Sequence, residues 1–400
     1  MNGKFLITGA SVAGNVAAWA LGEAGSEVVV VERHPEFRDG GQNIDVRGSG
    51  REVLKRMALE EEALQRGTGE EGTAWVEADG TIAAQFLTKD LEQDGPTAEM
   101  EILRGDLARL LYGAASPKAE FRFGDSVQAI EQGARGASVT FASGKVEHFD
   151  GVVVAEGVGS TTRELVFEGE NDPRWMDLTL AYFTIPREPD DDKLWRWYHA
   201  TDGRSVSLRP DRHGTTRAML SVQKPPEGEQ DWDTDQQKKF LRETFAGAGW
   251  QADRVLGGME LADDFYFDAL RQVRMQRWHH RHVVLTGDAA WCATPLAGAG
   301  TTLAVTGAYV LAGEIQRARN LDEAFERYEA VMRPVVEDVQ GVPKIGPRLM
   351  NPHSRLGIAL LHAVLGAASH PPLRELFARL FAKPPLAPDL SMYTLQAAPR

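Results

Sequence analysis

The feature that most constrains the fold of this chain is a glycine-rich segment, GDAAWCATPLAGAG, which runs from Gly287 to Gly300 directly after an apolar stretch. A strand that ends in glycine can bring its backbone against a ligand, and Asp288 then offers an acceptor for a ribityl hydroxyl. Pro295 stiffens the turn. Gly298 and Gly300 open a helix whose free N–H groups and positive dipole end suit an anionic ring. The segment predicts a site for a flavin, FAD, and glycines used only for packing are the alternative.

The N-terminus predicts the dinucleotide half of the same site. An apolar strand at 4–8, a GASVAG loop, a periodic helix and a second strand at 27–32 form a βαβ unit. Glu32, about 20 residues beyond the loop, is placed to bind an adenosine ribose. A serine replaces the central glycine of the usual GxGxxG pattern, which weakens the motif when it stands alone. The loop residues that we expect to contact the cofactor are Gly9, Ser11, Ala13 and Gly14.

Two further segments lie between these motifs. The stretch 149–163 pairs a buried strand with another glycine-rich turn. The stretch 101–111 carries leucines at the spacing of a core-facing helix, with Arg104 near its start. Arg104 is placed to hold a phosphate or a ribityl oxygen, and a surface arginine near a helix start is the alternative.

In this order, the four segments resemble the class A flavin monooxygenases, the family typified by p-hydroxybenzoate hydroxylase. The GASVAG loop and the segment 45–50, DVRGSG, are most similar to the tetracycline-inactivating members and their relatives. The resemblance implies that Glu32 and Arg33 hold the adenosine end of FAD. It also implies that Arg104 contacts the ribityl and diphosphate region and that Asp288 binds the ribityl chain.

The resemblance spans roughly residues 4–335 and has two departures. The family usually has aspartate where this chain has Glu156, a position linked to the FAD and NAD(P)H contacts, so both NADH and NADPH stay open as reductants. It often has histidine where this chain has Trp291, and this change removes a polar group near the ring.

Composition predicts a single soluble enzyme. The 400 residues are 42% hydrophobic, which is enough for a large core in two or three lobes. A net charge of −14 argues against nucleic acid and against an anionic membrane surface as partners. The longest apolar stretch is too short to cross a bilayer and no basic leader precedes the first strand, so we expect a cytoplasmic protein with no membrane span. The lone cysteine, Cys292, predicts a reducing compartment and a packing role.

We predict an α/β fold in which a Rossmann-like FAD-binding domain carries an inserted antiparallel β-sheet domain for substrate and a C-terminal helical segment. The inserted sheet follows from four strand-like runs with turn signals between them. These runs cover 178–186, 193–201, 204–210 and 215–223. The predicted FAD-binding domain comprises 1–75, 100–172 and 277–345, the substrate domain 76–99 and 173–276, and the helical segment 346–400.

The inserted sheet carries aromatic residues that predict a substrate wall. Alternation along its second strand puts Trp195 and Trp197 on one face, and Phe183 and His199 lie on the first two strands as further candidates. If that face looks toward the flavin, it forms an apolar wall for an aromatic or polycyclic substrate. Core packing is the alternative for each ring. A satisfied structural histidine is the alternative for His199 and for His213.

Two internal helices are also predicted. One covers 234–247 and is capped by Thr234 or Asp235. The other covers 321–340 and is broken at Pro334.

Two amphipathic helices, near 354–368 and 372–382, are predicted to close the C-terminal end. A strut across both lobes, a dimer contact and a membrane contact are the three roles that fit them. We therefore expect a monomer or a homodimer.

The predicted chemistry belongs to the cofactor. NAD(P)H reduces FAD, O2 adds to give a flavin hydroperoxide, and one oxygen atom passes to an electron-rich substrate. The sequence shows no second nucleotide fingerprint, so we expect NAD(P)H to bind transiently. We assign no catalytic side chain and expect no metal site, since no ligand spacing for one is present. The alternatives are an FAD-dependent dehydrogenase or reductase on the same scaffold and a flavoprotein that sequesters a ligand without turnover.

Overall fold

The computed structural model describes residues 3–38, 40–90, 100–370 and 386–395. The strands within these ranges are β1 (Lys4–Thr8), β2 (Glu27–Glu32), β3 (Asn43–Asp45), β4 (Gly72–Val76), β5 (Ile82–Leu87), β6 (Glu101–Leu103), β7 (Glu120–Phe123), β8 (Val127–Gln132), β9 (Ala137–Phe141), β10 (Val146–Phe149), β11 (Gly151–Val154), β12 (Arg174–Pro186), β13 (Leu194–Ala200), β14 (Arg204–Pro210), β15 (Thr215–Gln223), β16 (Tyr266–Gln272), β17 (His279–His280) and β18 (Val283–Leu285). The helices are α1 (Val12–Glu23), α2 (Gly48–Arg56), α3 (Glu60–Gln65), α4 (Arg104–Ala115), α5 (Thr161–Val166), α6 (Thr234–Phe245), α7 (Ala252–Leu261), α8 (Asp288–Trp291), α9 (Gly300–Arg317), α10 (Leu321–Gln340), α11 (Gly346–Met350) and α12 (Arg355–Ser369).

The first lobe is built on a six-stranded sheet with the order β17-β18-β11-β1-β2-β7. The pair β17–β18 is antiparallel and the other pairs run parallel. All residues from Val28 to Val31 are buried, as expected for a parallel sheet, which helices cover on both faces. β1, α1 and β2 form the predicted βαβ unit, and the Rossmann-like part of the prediction is confirmed. We call this sheet, with α1, α4, α5, α8, α9 and α10, the parallel-sheet lobe.

The second lobe is built on a seven-stranded sheet with the order β16-β12-β15-β14-β13-β4-β5. Strands β12 to β15 lie close to the four predicted runs. The sheet is mixed rather than antiparallel, because β13 and β4 pair in parallel between Leu194↔Gly72 and Tyr198↔Val76. β4 comes from a distant part of the chain, so no hairpin fixes its direction. β4 also begins at Gly72, ahead of the predicted domain boundary at 75/76. We call this sheet, with α6 and α7, the mixed-sheet lobe.

The two faces of the mixed sheet have different surroundings. Helices α6 and α7 cover one face, where the buried residues include Phe183, Leu241, Phe245 and Val255. The opposite face turns toward the parallel-sheet lobe. On that face Arg217 donates to the hydroxyl oxygen of Thr184 at 2.6 Å and also reaches the carbonyl oxygen of Gly41 at 3.4 Å. That face also borders a gap between the lobes, whose wall includes Leu103, Thr184 and Arg217.

Helix α6 has a different cap from the predicted one. Its N-cap is Asp233 rather than Thr234 or Asp235. The Asp233 carboxylate accepts from the backbone N–H of Gln236 at 2.8 Å, and the Gln236 side chain accepts from the backbone N–H of Asp233 at 3.1 Å. This reciprocal capping box satisfies two N–H groups, which a cap at either neighbouring residue would leave open.

Helix α10 runs unbroken from Leu321 to Gln340, so the predicted break at Pro334 is wrong. Proline removes one helical hydrogen bond and normally kinks a helix. Here Met332, on the turn before it, and Val336, just after it, are buried in the core. Tertiary packing therefore holds the helix straight enough to continue.

The C-terminal segment contacts both lobes. α12, which matches the first predicted helix of this segment, packs against β5 and β13. Tyr393 is buried against α9, where its hydroxyl donates to Glu314 at 2.7 Å and its carbonyl oxygen accepts from Arg56 at 2.8 Å. The second predicted helix, 372–382, lies outside the described residues. Among the described helices, none combines the length and apolar character that crossing a membrane demands.

Candidate active site

The loop between β1 and α1 has room for glycine alone at two positions. Gly9 adopts a φ of +98°, and a Cβ atom there would lie 2.6 Å from the carbonyl oxygen of Ala155. A Cβ atom at Gly14 would lie 1.9 Å from the carbonyl oxygen of Gly9. The loop is therefore packed tightly at the carboxyl ends of β1 and β11. Parallel α/β sheets bind nucleotides at this edge.

Glu32 fixes this loop from the end of β2. One carboxylate oxygen accepts from the backbone N–H of Ala10 and the other from that of His34, each at 3.0 Å. Each oxygen keeps lone-pair capacity for a further donor, such as a ribose hydroxyl. The neighbouring Arg33 is exposed. Glu32 and Arg33 thus lie beside the loop, and the ribose contact stays a prediction.

Arg104 connects the loop between β1 and α1 to the loop that contains Gly40. Its guanidinium donates to the hydroxyl of Ser11 at 3.1 Å and to the carbonyl oxygen of Gly40 at 2.7 Å. The pairing of β3 with β6 places Arg104 here, since its backbone N–H bonds to Gln42 at 2.9 Å. A Cβ atom at Gly41 would lie 2.6 Å from the Arg104 side chain. Burial lowers the pKa of Arg104, but the group stays a cation at neutral pH.

Asp288 reaches the same place from the opposite end of the sequence. It begins α8 directly after Gly287, whose φ is +60° and whose Cβ atom, if present, would lie 2.8 Å from Cβ of Ala13. The side chain is exposed in the gap between the lobes, yet the surrounding protein raises its pKa to about 6 by desolvation, and Arg104 opposes that shift. At pH 7 Asp288 is ionised and accepts hydrogen bonds.

The start of α9 supplies the last part of the site. A short 3-10 turn, Pro295–Ala297, precedes it, and Gly298 ends that turn with a φ of +63°. A Cβ atom at Gly300 would meet no atom within 4 Å, so the space beside the first turn is open. No described side chain caps α9. Its first N–H groups are therefore suited to an anionic ligand edge.

These features fit FAD. The loop backbone forms a cradle at the start of α1, where glycine at positions 9 and 14 avoids collisions with backbone carbonyl oxygens, and α1 likewise starts without a side-chain cap among the described residues. A buried cation, Arg104, and an acceptor carboxylate, Asp288, flank that cradle. The residues that the sequence singles out for the cofactor are thus brought to one edge of the parallel sheet.

The two residues that depart from the family pattern have structural partners. The Glu156 carboxylate accepts from the hydroxyl of Ser160 at 2.7 Å and from the backbone N–H of Thr162 at 3.0 Å, so it holds the start of α5. Trp291 is buried, and its ring centroid lies 4.6 Å from that of Trp278. Burial likewise raises the pKa of the Cys292 thiol well above its ordinary value, as expected of a packing residue.

Trp195 and Trp197 share one face of the mixed sheet, as alternation predicts. Their ring centroids lie 4.8 Å apart. The guanidinium of Arg209 lies 3.8 Å from the centroid of the Trp195 ring, and the indole N–H of Trp195 donates to Ser207 at 3.2 Å. Arg209 is on the face that turns toward the parallel-sheet lobe, because it pairs with Glu101 at 2.7 Å. The indoles therefore face the gap between the lobes.

The other two substrate candidates are placed differently. Phe183 lies on the helix-covered face, where its ring is 2% exposed and packs against Phe265. His199 shares the face of Trp197 but is buried beneath α12, with Nδ1 3.5 Å from the ring of His362. Burial and then His362 lower the pKa of His199 to about 4, so its ring is neutral at pH 7. Neither side chain reaches the gap, so neither is placed to contact a substrate there.

Sequence reasoning did not single out Arg209, Tyr182 or Tyr266 as functional. Burial alone would lower the pKa of Arg209, but Glu101 and Glu70 raise it above its ordinary value. The Tyr182 and Tyr266 rings lie 6.5 Å apart, and Tyr266 is 47% exposed. The cross-strand pairs Tyr182–Tyr266 and Arg209–Arg217 bring these residues together. The sequence alone does not give the register of the strands, so it could not identify these pairs.

Three comparisons with known proteins agree with this geometry. The FAD binding domain family matches residues 3–341. The FAD-dependent monooxygenase asL4 of Sarocladium schorii is 33% identical over 393 residues, which cover 90% of this chain and 91% of that protein.

Solved structures share the architecture. The tetracycline destructase Tet(51) matches with a TM-score of 0.79 at 28% identity, over 92% of this chain and 97% of that one. Klebsiella pneumoniae HpxO, complexed with FAD and uric acid, matches with a TM-score of 0.74 at 21% identity, over 91% and 92% of the two chains. The predicted fold class and the predicted cofactor, FAD, are confirmed.

Proposed function

We propose, on the premise that this chain belongs to the FAD-binding domain family of flavin-dependent monooxygenases, that it inserts one oxygen atom into an aromatic or polycyclic small molecule. NAD(P)H is the reductant and O2 the oxidant. One observation supports the substrate class: the ring centroids of Trp195 and Trp197 lie 4.8 Å apart on the sheet face that also carries Arg209. We assign substrate binding to the mixed-sheet lobe and cofactor binding to the parallel-sheet lobe.

Aromatic side chains stand at both ends of one row on this sheet face, whereas Met219 and Ser207 in the middle of the row are buried. Register aligns Tyr266, Tyr182, Met219, Ser207 and Trp197 in one row across five strands. Four inter-strand steps of roughly 4.8 Å separate Tyr266 from Trp197 by about 19 Å. Flat rings of a substrate would stack on the aromatic side chains at the ends of the row, since aromatic faces attract one another beyond simple area burial.

The row is anchored at both ends. Burial raises the pKa of Tyr182 to about 12, so its hydroxyl stays protonated and carries no charge at neutral pH. The Tyr266 hydroxyl donates to Asp268 at 3.2 Å. At the other end Arg209 is fixed by Glu70 at 2.8 Å and covers one face of Trp195. These contacts hold the rings in position before a substrate arrives, which lowers the entropy cost of binding.

The chain's own residues position the cofactor and the substrate. Residues of the Gly9–Gly14 loop and Glu32 would hold the adenosine and diphosphate of FAD. Arg104 and the ionised Asp288 would hold the ribityl chain. FAD, when bound, supplies the redox chemistry that activates oxygen. Apolar side chains on the mixed sheet exclude water from the reacting atoms.

The proposed reaction balances as one aromatic C–H, one O2, one NAD(P)H and one proton giving one C–OH, one NAD(P)+ and one water. The ring carbon gains an OH group and loses its hydrogen as a proton. Two electrons from NAD(P)H reduce the second oxygen atom to water.

A stoichiometry measurement tests the proposal. The purified protein is supplied with NADPH or NADH and a panel of phenols and polycyclic aromatics, and O2 uptake, nucleotide oxidation and product mass are followed together. We expect equal consumption of O2 and nucleotide, with product heavier by one oxygen atom that derives from labelled O2. Nucleotide oxidation without O2 uptake would instead support a dehydrogenase or reductase. Ligand binding without turnover would support a sequestering flavoprotein.

A further inference from the structure

A cavity lies beside the cofactor edge in the gap between the lobes, and four of the ten residues that line it are arginines. It has a volume of about 680 Å3 and lies between α4, the end of α3 and the β14–β15 hairpin. Four arginines contribute to its wall against two aspartates, although the whole chain carries a net charge of −14. The arginines are Arg66, Arg109, Arg212 and Arg217.

The cavity is separate from the cradle described above. Ser11, Glu32 and Asp288 are absent from its wall as far as the described residues define it. The loop at Gly40 and Gly41 forms the partition. The carbonyl oxygen of Gly40 accepts from Arg104, on the cofactor side, whereas that of Gly41 accepts from Arg217, which lines the cavity.

The arginines differ in how firmly they are held. Arg217 is fixed by Asp211 at 3.0 Å and by Asp264 at 3.1 Å, so it forms a rigid and largely neutralised wall. Arg212, at the hairpin tip, is exposed and lies 3.9 Å from Asp106, too far for a strong ion pair. Its guanidinium is therefore available for an anion at the mouth of the cavity.

Two more polar side chains, His213 and Arg109, flank the same mouth. His213 lies 3.1 Å from the Asp106 carboxylate that Arg212 also approaches. Arg109 is exposed on α4, and its guanidinium lies 5.8 Å from the ring centroid of Phe37. Arginine pairs with phosphate through two parallel N–H bonds, so guanidiniums around one opening favour a phosphorylated ligand.

We propose that this cavity binds the phosphate groups of the reduced nicotinamide dinucleotide. The inference rests on the proposed function, which requires NAD(P)H to approach a flavin in a chain that has a single dinucleotide fingerprint. A protein of net charge −14 repels such an anion in general, so a local cationic opening is needed to attract it. Its position beside the Gly40 partition lets the nicotinamide end extend toward the flavin ring.

Arg212→Ala and the double variant Arg109→Ala/Arg212→Ala test the proposal in the FAD-loaded protein. Arg319→Ala, which removes an arginine with an 87% exposed side chain from the start of α10, is the matched control. Stopped-flow flavin reduction gives the Kd of NADPH and of NADH, and calorimetry gives the Kd of adenosine 2′,5′-bisphosphate and of ADP. We expect the Kd values to rise about tenfold in the single variant, to rise further in the double variant and to stay unchanged in the control.

The pattern across ligands identifies which phosphate is bound. A loss of affinity confined to NADPH and adenosine 2′,5′-bisphosphate assigns the cavity to the 2′-phosphate. A loss of affinity for all four ligands assigns it to the diphosphate. Unchanged Kd values in the double variant, or a rise in the KM of the aromatic substrate alone, would overturn the proposal. If neither nucleotide reduces the wild-type flavin, the proposed function fails, while the calorimetric titrations still decide whether the cavity binds phosphate.

Discussion

The cofactor edge and the aromatic face of the mixed sheet meet across one gap but are built in opposite ways. The cofactor edge is made of backbone, and at Gly9 and Gly14 any Cβ atom would collide with a carbonyl oxygen. The aromatic face is made of side chains, such as Trp197 and Tyr266, on strands far apart in sequence. The first arrangement admits few substitutions, whereas the second admits many. The proposed function therefore assigns cofactor choice to chain geometry and substrate choice to exchangeable side chains.

The largest effect on cofactor binding is expected from Gly14→Ala. Its Cβ atom would lie 1.9 Å from the carbonyl oxygen of Gly9, so the loop must shift. We expect a loss of bound FAD together with a destabilisation of about 1–3 kcal/mol or more. The ratio of flavin absorbance to protein absorbance and urea unfolding measure the two effects.

Gly113→Ala in α4 is the matched control, because a Cβ atom there meets no atom within 4 Å. It should stabilise the helix by up to about 1 kcal/mol and leave the FAD content unchanged. Full FAD content in Gly14→Ala would break the contrast between a backbone-built edge and a side-chain-built face.

The next effect separates the two faces of the mixed sheet. Phe183→Ala empties a buried site and should cost about 3–5 kcal/mol in free energy of unfolding. Trp197→Ala removes a larger but half-buried ring and should cost less than half as much. Urea unfolding followed by circular dichroism compares them, and equal costs would mean that Trp197 is core rather than a wall of the gap.

Much of the cofactor edge was predictable from sequence because its parts are local. The turn at Gly9, the acceptor at Asp288 and the cation at Arg104 each stand in a short motif whose neighbours determine its conformation. What the sequence did not show is that the Glu32 carboxylate accepts hydrogen bonds from the backbone N–H groups of Ala10 and His34.

The aromatic face was only half predictable because it depends on long-range register. Alternation correctly paired Trp195 with Trp197 within one strand. It could not decide that Phe183, on a neighbouring strand, faces the helices, nor that α12 buries His199. The parallel pairing of β4 with β13 and the continuity of α10 through Pro334 likewise come from tertiary packing that no local signal encodes.

The smallest effect concerns pH. The pKa of Asp288 is about 6 in the folded protein and 3.8 for an ordinary aspartate, so the folded state binds the proton more tightly. Protein stripped of flavin should therefore lose stability relative to its Asp288→Asn variant as the pH rises from about 4 to about 6, with no further change above that. Urea midpoints of the two proteins across this range check it. If the urea midpoints of the two proteins change with pH in the same way, Asp288 is freely solvated.

The yield of oxygenated product per NAD(P)H oxidised tests the separation of the two regions most directly. It is measured in wild-type protein and in the Trp195→Ala/Trp197→Ala variant, with FAD content and hydrogen peroxide recorded alongside. The account predicts unchanged FAD content and continued nucleotide oxidation, with the product share falling at least about tenfold as electrons pass to hydrogen peroxide. Loss of FAD from the variant, or an unchanged product share, would contradict the assignment of the cofactor and the substrate to two separate surfaces.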